Sequence, residues 1–390
     1  MSERLALRGG PKVRSEPLPV WPPHDPAVLE GLGQAYRDGP RERPLKGAFE
    51  KLFAAFCGAP FAIAVSSGTA ALDLAVRAAL ARRPGAVMAS CYGHPASIQM
   101  AARLSAVVLV DIDPSTLSLS LDAVSRVLAG QQISAVVTTH VAGALGRVGD
   151  LAALCRAHEV TLIEDASHAH ASVAGERKAG TFGDIGCFSL HATKNLSAGE
   201  GGMIVTASQV LVEQLWRMHD LGRDPAAPPY AFRALEGNLR MSEFSAAAAM
   251  VGLSRLLADE AQRGGAVAAL RHGLDEDDPL ALLPCDLQPV ETRRSYHFLP
   301  CIYRPEKAQG LSRRRFVLAL CAEGLACSEG WPDLLTSLVA GSADDMPAAT
   351  AVKEQSVWID QRVLLSDGGA DQLLRAVRKI RDNAKSIGAR

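Results

Sequence analysis

Residues 61–83 read FAIAVSSGTAALDLAVRAALARR, and this stretch determines the expected fold class. Its first five residues are all apolar, which is typical of a strand that helices cover on both faces. The segment Ala70–Arg83 then has the composition and apolar spacing of a helix. A strand that leads directly into a helix indicates an α/β protein built on a parallel sheet.

The same alternation continues over the first two thirds of the chain. The predicted strands are Phe61–Val65, Ala86–Ala89, Ala106–Val110, Ile133–Thr138, Val160–Ile163, Ile185–Leu190 and Met203–Val205. The predicted helices are Ala70–Arg83, Ser97–Leu104, Leu121–Leu128 and Leu151–His158. We therefore predict a doubly wound α/β fold with a mostly parallel seven-stranded sheet and helices on both of its faces.

The pattern changes near Met241, where a long helical stretch begins. We expect Gly264-Gly265 to break or bend this helix. Farther on, the sequence predicts a strand at Tyr296–Tyr303 and a last helix with an apolar face. The basic residues of that helix are expected on a solvated face: Arg375, Arg378, Lys379 and Arg381. Since 390 residues are too many for one compact core, we predict an arm and large domain over 1–255 and a small α+β domain over 256–390.

Composition excludes several classes of function. Lys plus Arg number 41 and Asp plus Glu 42, so no general positive field favours nucleic acid as a partner. The amino terminus lacks the apolar core of a signal peptide, and no apolar run is long enough to cross a membrane. The eight cysteines form no CxxC pair, and His168 with His170 lacks a clear third ligand, so we expect reduced thiols, a cytoplasmic enzyme and no metal site.

Three segments carry candidate chemistry. Ser66–Ala71 lies between a strand and a helix, where backbone N–H groups form an anion cradle suited to phosphate or simply a capped helix. Asp165 ends an apolar strand, where ligands bind in doubly wound sheets, although it could also cap a helix. Lys194 follows another strand and precedes the glycine-rich turn Ala198–Gly202, although most lysines are merely solvated.

Together the three segments specify one cofactor. Pyridoxal 5′-phosphate needs an anion cradle, a carboxylate against its pyridinium nitrogen, and a lysine that forms a Schiff base. The carboxylate keeps the ring nitrogen protonated, so that the ring can take up electrons from a substrate carbanion. Asp165 and Lys194 are expected on separate strand ends that face one crevice. The residues themselves therefore predict a pyridoxal phosphate enzyme.

Longer segments make a family resemblance specific. They are SSGTAAL (66–72), VVLVDIDPSTL (107–117), HVAGALGRVGDL (140–151), IEDASHAHAS (163–172), GTFGDIGCFSLHATKNLSAGEGG (180–202) and GNLRMSEFSAAA (237–248). Over almost the whole chain the sequence resembles the DegT-type sugar aminotransferase family of pyridoxal phosphate enzymes. The resemblance implies fold type I, the aspartate aminotransferase fold, in which the larger part of the chain binds the cofactor.

The resemblance also implies roles for individual residues. Lys194 would form the Schiff base and then move the proton between the substrate Cα and the cofactor C4′, while Asp165 would pair with the pyridinium nitrogen. His168 stands where the family places Gln or His near the phenolic oxygen. The residues implied in phosphate binding are Gly68, Thr69, Ala70 and Ser189. Asn238 matches an Asn that reaches the neighbouring subunit's phosphate, which implies a homodimer with shared active sites.

One segment departs from the family pattern. Members usually have an aromatic residue that stacks on the pyridine ring, but in ASCYGHP (89–95) the matching position is Gly93. Either His94 or Tyr92 could supply the stacking ring, and we favour His94. In the alternative, His94 caps the following helix and Tyr92 is only packed.

The resemblance narrows the reaction. A lysine at position 194 favours transamination over the dehydratase branch, which has histidine there. L-glutamate or L-glutamine is the expected donor. Three segments resemble the branch that acts on keto-cyclitols and aminohydroxybenzoate precursors: LALRGGPKVRSEPLPVWPPHDP (5–26), GLACSEGWPDL (324–334) and SVWIDQRVLLSD (356–367).

From this branch we expect amination of a sugar or cyclitol ketone in antibiotic-type secondary metabolism, with Trp331 and Tyr92 as candidate substrate contacts. Two alternatives stay open. One is another pyridoxal phosphate reaction, such as dehydration with aromatisation, decarboxylation or oxidation. The other is a regulator that has inherited the fold without the activity.

Overall fold

The computed structural model describes residues 3–38, 44–224, 228, 231–287, 292–339 and 346–388. In this part of the chain seven strands form the main sheet: β1 Phe61–Val65, β2 Ala86–Ser90, β3 Val107–Val110, β4 Ile133–Thr139, β5 Thr161–Asp165, β6 Ile185–Ser189 and β7 Gly202–Thr206. Their spatial order is β1-β7-β6-β5-β4-β2-β3. Strand β7 runs antiparallel to the other six, which are parallel to one another. The predicted mostly parallel seven-stranded sheet is confirmed.

Helices cover both faces of the main sheet. The helices of the described residues are α1 Pro26–Asp38, α2 Pro44–Cys57, α3 Gly68–Arg82, α4 Ala96–Gln99, α5 Ala101–Leu104, α6 Leu121–Gly130, α7 Val148–Ala157, α8 Gln209–His219, α9 Glu243–Gly273, α10 Pro284–Leu287, α11 Arg313–Ala322, α12 Pro347–Gln355, α13 Gln361–Leu364, α14 Gly369–Asp382 and α15 Ala384–Gly388. In β1, Ile63 and Val65 pack towards α3 on one face, whereas Ala64 packs with Phe49 and Phe53 of α2 on the other. This two-sided burial explains why the strands are apolar at successive positions.

A second, antiparallel sheet lies in the last third of the chain. Its strands are β8 Leu280–Leu282, β9 Phe298–Tyr303, β10 Cys327–Ser328 and β11 Ser356–Asp360, in the order β8-β9-β11-β10. Helices α11 and α14 share its apolar core. Shorter ladders join Ile112–Asp113 to Ser118–Leu119, and Val173–Ala174 to Arg177–Lys178 and Thr292–Arg293. The proposed boundary after residue 255 falls inside α9, and the division into 1–255 and 256–390 stays a prediction.

Helix α9 corrects one expectation. It runs without interruption from Glu243 to Gly273, so Gly264-Gly265 does not break it. A Cβ at either glycine would meet no atom within 4 Å, which places both on an open side of the helix. Buried side chains before and after the pair, including Arg263 and Val267, hold the helix in place. Packing therefore outweighs a cost of about 1 kcal/mol for each glycine.

Lysine 379 corrects a second expectation. It is buried rather than solvated, and its Nζ donates to a carboxylate oxygen of Glu323 at 2.9 Å and to the carbonyl of Pro11 at 2.7 Å. The Glu323 carboxylate also accepts the backbone N–H groups of Ala6 and Val13. This buried pair fastens the amino-terminal arm between α11 and α14, a long-range contact that helical periodicity cannot reveal.

Two features are absent from the part of the chain that the structure describes. None of these helices combines the length and apolar character that crossing a bilayer requires. Within the same residues, no three His, Cys, Asp or Glu side chains are grouped so that they could bind a metal ion.

Candidate active site

The anion cradle forms where β1 passes into α3. Ser67 is extended, and its Oγ accepts the backbone N–H of Ala70 at 3.1 Å, so Ser67 is the helix cap. Ser67, Gly68 and Thr69 line a cavity of about 590 Å³. The start of a helix attracts anions because its first N–H groups have no partner within the helix. Of the residues implied in phosphate binding, Gly68 and Thr69 face this cavity, whereas the N–H of Ala70 is used by the cap.

Strand β6 forms the other side of the cradle. A Cβ on Gly68 would lie only 2.6 Å from the Cβ of Ser189, the last residue of β6, so any larger residue would push the two apart. Ser189 lines the cavity as expected. Its carbonyl accepts a hydrogen bond from Nε2 of His170 at 2.8 Å. Burial lowers the pKa of His170 to about 3, so this imidazole is neutral. Its hydrogen bond to Ser189 holds the end of β6 in place.

The carboxylate and the amine meet at the same sheet edge. Asp165 ends β5 and pairs in register with Cys187 of the parallel strand β6. It is 4% exposed, and one of its oxygens accepts the N–H of Ser167 at 3.2 Å. Burial lowers the pKa of Lys194 to about 8, while the nearby charge of Asp165 acts in the opposite direction. Both side chains line the cavity, as the sequence predicts.

Distant segments hold the loop that carries Lys194. The indole Nε1 of Trp21, in the amino-terminal arm, donates to the Lys194 carbonyl at 3.1 Å. The side-chain amide of Gln361, at the start of α13, donates to the Thr193 carbonyl at 2.8 Å. The arm and the second sheet's connections thus fix the backbone from which the amine extends.

Aromatic and imidazole rings make up much of the remaining wall. His168 and Trp331 line the cavity as expected, and their planes lie 25° apart at 6.4 Å. The sequence interpretation missed three further wall residues: His297, Phe298 and Trp358. His297 directly precedes β9, Phe298 is the first residue of β9, and Trp358 lies in β11. The only signal for them was the clustering of aromatic residues at these two strands, which equally predicts a core.

Burial and one hydrogen bond determine the charge and the tautomer of His168. Its Nδ1 accepts the backbone N–H of Ala142 at 3.4 Å. Burial lowers the pKa of His168 well below its usual value, and the positive charge of Lys194 adds to the effect. Because Nδ1 accepts, the single hydrogen of the neutral ring is on Nε2.

The unusual segment 89–95 places its two rings differently. His94 lines the cavity, and its Nδ1 accepts the N–H of Ala96 at the start of α4, so it both caps a helix and faces the site. Tyr92 is completely buried, with its ring edge towards Trp331 at 5.1 Å. It lies behind the wall rather than on it. This geometry favours His94 over Tyr92 as the stacking ring.

Asn238 lies elsewhere on the surface. It is exposed and forms an isolated β-bridge with Asp220. It is not among the described residues that line the cavity. A side chain in this position is accessible to a second chain, and the shared-site role of Asn238 stays a prediction.

The assembled cavity suits a phosphorylated aromatic cofactor with a carbonyl group. An anion cradle, a buried carboxylate and an amine with a lowered pKa surround one space, and rings line much of the remainder together with polar side chains such as Thr139, Ser167 and Glu200. Amines in this pKa range are partly uncharged near neutral pH and can act as nucleophiles and proton carriers.

Proteins of one aminotransferase family resemble this chain in sequence and in fold. Residues 33–378 match the family model described as the DegT/DnrJ/EryC1/StrS aminotransferase family. The chain is 33% identical to an L-glutamine:2-deoxy-scyllo-inosose aminotransferase of Micromonospora echinospora, over 75% of this chain and 73% of that protein. It is 30% identical to a 3-amino-5-hydroxybenzoate synthase of Amycolatopsis mediterranei, over 90% and 93%. The crystal structure of a 3-amino-5-hydroxybenzoic acid synthase superposes with a TM-score of 0.83 at 26% identity, over 96% of this chain and 100% of that one.

The contact between Gly68 and Ser189 predicts the effect of one methyl group. In Gly68→Ala the new Cβ must displace Ser189, at a cost of roughly 1–3 kcal/mol. We expect the affinity for pyridoxal phosphate, measured by absorbance titration, to fall about tenfold or more, since 1.4 kcal/mol corresponds to a factor of ten. Gly264→Ala is the matched control, because its Cβ meets nothing within 4 Å. Unchanged affinity in Gly68→Ala would show that the cradle does not hold the phosphate.

Proposed function

The chain belongs to the DegT/DnrJ/EryC1/StrS aminotransferase family, and we propose that it uses pyridoxal 5′-phosphate to aminate a cyclitol ketone in antibiotic biosynthesis. L-glutamine is the favoured donor and L-glutamate the alternative. The observation that carries this proposal is the meeting of Lys194, Asp165 and the Gly68–Ser189 cradle in one cavity. The relatives named as L-glutamine:inosose aminotransferases support the substrate class.

The residues that line the cavity are of the types that this cofactor requires. The cradle between α3 and β6 is the binding place for its phosphate, and Asp165 is the carboxylate for its ring nitrogen. When bound, pyridoxal phosphate supplies the carbonyl that takes up the amino group and the ring that withdraws electrons from the reacting carbon.

Three side chains have distinct proton roles in the proposed mechanism. Lys194 would hold the cofactor covalently through its Nζ and, once an amino-acid donor has released it, would carry a proton between the substrate Cα and the cofactor C4′. The carboxylate of Asp165 would hold the proton on the ring nitrogen through charge attraction in a buried setting. His168 would donate its Nε2–H to the phenolic oxygen, since its Nδ1 already accepts from Ala142.

The wall of the cavity favours an uncharged ring as acceptor. Phe298 and Trp358 stack with centroids 3.8 Å apart and planes at 10°, and Trp331 crosses Trp358 at 76°. Among the described residues that line the cavity, Lys194 is the sole Lys or Arg. A nucleotide-linked sugar would bring a diphosphate that needs further cations. A cyclitol needs only apolar faces and hydrogen bonds.

We also propose an assembly, two further site residues and a cellular location for the enzyme. The exposed position of Asn238 supports a homodimer in which its amide reaches the neighbouring subunit's cofactor. His94, at the cavity edge, is proposed as the stacking ring and Trp331 as a substrate contact. The eight cysteines form no disulfide with one another, and we propose the cytoplasm as the location because it keeps thiols reduced.

A second function is favoured by one specific observation. The similarity to 3-amino-5-hydroxybenzoate synthase, in sequence and in structure, covers nearly the whole chain. The same cavity could therefore serve dehydration with aromatisation of an amino-cyclohexene ring. The two functions differ in their products: an aromatic acid in one case and an aminocyclitol in the other.

The proposed function predicts a defined pair of half-reactions. Purified enzyme given L-glutamine alone should convert the bound cofactor to its amine form, seen as a shift of its absorbance. Adding scyllo-inosose or 2-deoxy-scyllo-inosose should restore the original spectrum and yield one equivalent of aminocyclitol by mass spectrometry. Lys194→Ala should do neither, because it lacks the Nζ that carries the proton. Formation of no amine from any keto-cyclitol or keto-sugar would rule out this function.

The environment of Lys194 predicts a pH dependence. Only the neutral amine captures pyridoxal phosphate, so the capture rate should rise with pH through a midpoint of about 8 rather than 10.5. Asp165→Asn removes the charge that raises the pKa of Lys194, so the midpoint should move below 8. Stopped-flow absorbance on the cofactor-free protein measures both, with the exposed Asp150→Asn as control. A midpoint near 10, or an upward shift in Asp165→Asn, would contradict the interpretation.

A further inference from the structure

His297 faces the cavity but has no role in the mechanism above. It lies directly before β9, and its ring centroid is 4.4 Å from that of His168, with planes 31° apart. Two imidazoles this close must share the available space and can offer either donors or acceptors to a ligand. Which of these each ring offers depends on the partners of its other nitrogen.

A buried chain of side chains extends behind His297. Arg263 is completely buried and donates from a guanidinium nitrogen to Oε1 of Glu260 at 2.9 Å. The same oxygen accepts from Nδ2 of Asn195 at 2.7 Å. A carboxylate paired with a guanidinium can only accept, so the amide of Asn195 has one orientation: nitrogen towards Glu260 and oxygen towards the cavity side.

This orientation fixes the tautomer of His297. Oδ1 of Asn195 lies 3.3 Å from Nδ1 of His297, and an amide oxygen only accepts, so Nδ1 carries the hydrogen. Burial lowers the pKa of His297 well below its usual value, and the positive charges of Lys194 and Arg263 add to the effect. The ring is therefore neutral, and its Nε2 carries a lone pair.

The two rings thus have opposite hydrogen-bonding characters. His168 accepts at Nδ1 from a backbone N–H and keeps its hydrogen on Nε2. His297 donates at Nδ1 to Asn195 and keeps a lone pair on Nε2. One cavity wall therefore offers a donor and an acceptor side by side, next to the aromatic faces of Phe298 and Trp358.

We propose that His297 binds the amino acceptor by accepting a hydrogen bond from one of its hydroxyl groups, and that Asn195, Glu260 and Arg263 are positioning residues that hold His297 in this tautomer. The inference rests on the proposed function, because it assigns part of the cyclitol site. A hydroxyl is the matching donor, since a neutral imidazole has no charge with which to balance the ammonium group of the amino-acid donor.

The tautomer can be measured independently of turnover. In holoenzyme labelled with ¹⁵N-histidine, long-range ¹H–¹⁵N spectra distinguish the two tautomers and the charged ring, and loss of a signal in His297→Phe assigns it. Near pH 7 we expect a neutral ring with its hydrogen on Nδ1. In Asn195→Ala the ring should become a mixture of tautomers. A hydrogen on Nε2 or a charged ring in the wild type, or an unchanged signal in Asn195→Ala, would overturn the positioning role.

Kinetics test the substrate contact. His297→Phe keeps a ring against His168 but has no acceptor, whereas the amide oxygen of His297→Gln can replace Nε2. We expect the KM for the keto-cyclitol to rise roughly tenfold in His297→Phe and to stay within about twofold of wild type in His297→Gln. The rate of the glutamine half-reaction should change less than the acceptor KM in both variants, and the exposed control His272→Phe should leave both quantities unchanged.

Other kinetic outcomes distinguish failure of the His297 contact from failure of the proposed function. An unchanged acceptor KM in His297→Phe, or a rise confined to the KM for L-glutamine, would overturn the hydroxyl contact while leaving the proposed function intact. Absence of amine formation by the wild type would instead count against the proposed function, and the tautomer measurement would still decide the roles of Asn195, Glu260 and Arg263.

Discussion

The close approach of α3 to the end of β6 is the contact on which the active-site geometry depends. Gly68 and Ser189 are so near that a Cβ on the glycine would lie 2.6 Å from the serine Cβ. This contact sets the width of the anion cradle and its distance from Asp165, because β5 and β6 are paired in register at Cys187. The loop that continues from β6 then carries Lys194 back over the same edge. One backbone contact thus relates the cradle, the carboxylate and the amine.

Most of the proposed cofactor-binding part of the site could be predicted, because short local sequence patterns determine its strands and the positions of its residues. Each strand of the main sheet is a short apolar run, and Asp165 ends one such run while Lys194 lies in the loop that follows another. In parallel sheets the carboxyl ends of strands lie at one edge, so chain order already implies that these residues meet. The family resemblance added roles that geometry alone does not give, including those of His168 and Asn238. The choice between His94 and Tyr92 needed coordinates, because only the fold shows which ring is behind the wall.

The parts that could not be predicted depend on long-range packing. His297 and Trp358 come from the second sheet, and nothing in their local sequence indicates that they face the cofactor cavity. Lys379 is buried because Glu323 and the amino-terminal arm cover it and accept its hydrogen bonds. The chain from Arg263 to His297 links residues up to 102 positions apart, from Asn195 to His297. Sequence periodicity does not reveal such buried polar chains, yet this one determines the hydrogen-bonding character of His297 in the cavity wall.

The proposed function depends most directly on Lys194, at the edge shared by β5 and β6, which we propose as the residue that bonds covalently to pyridoxal phosphate. Borohydride reduction of the holoenzyme, followed by peptide mass spectrometry, tests it most directly, because reduction makes that bond permanent. The account predicts one phosphopyridoxyl group for each chain, on Lys194. A label on another lysine, or no label on a chain that has bound the cofactor, would contradict it.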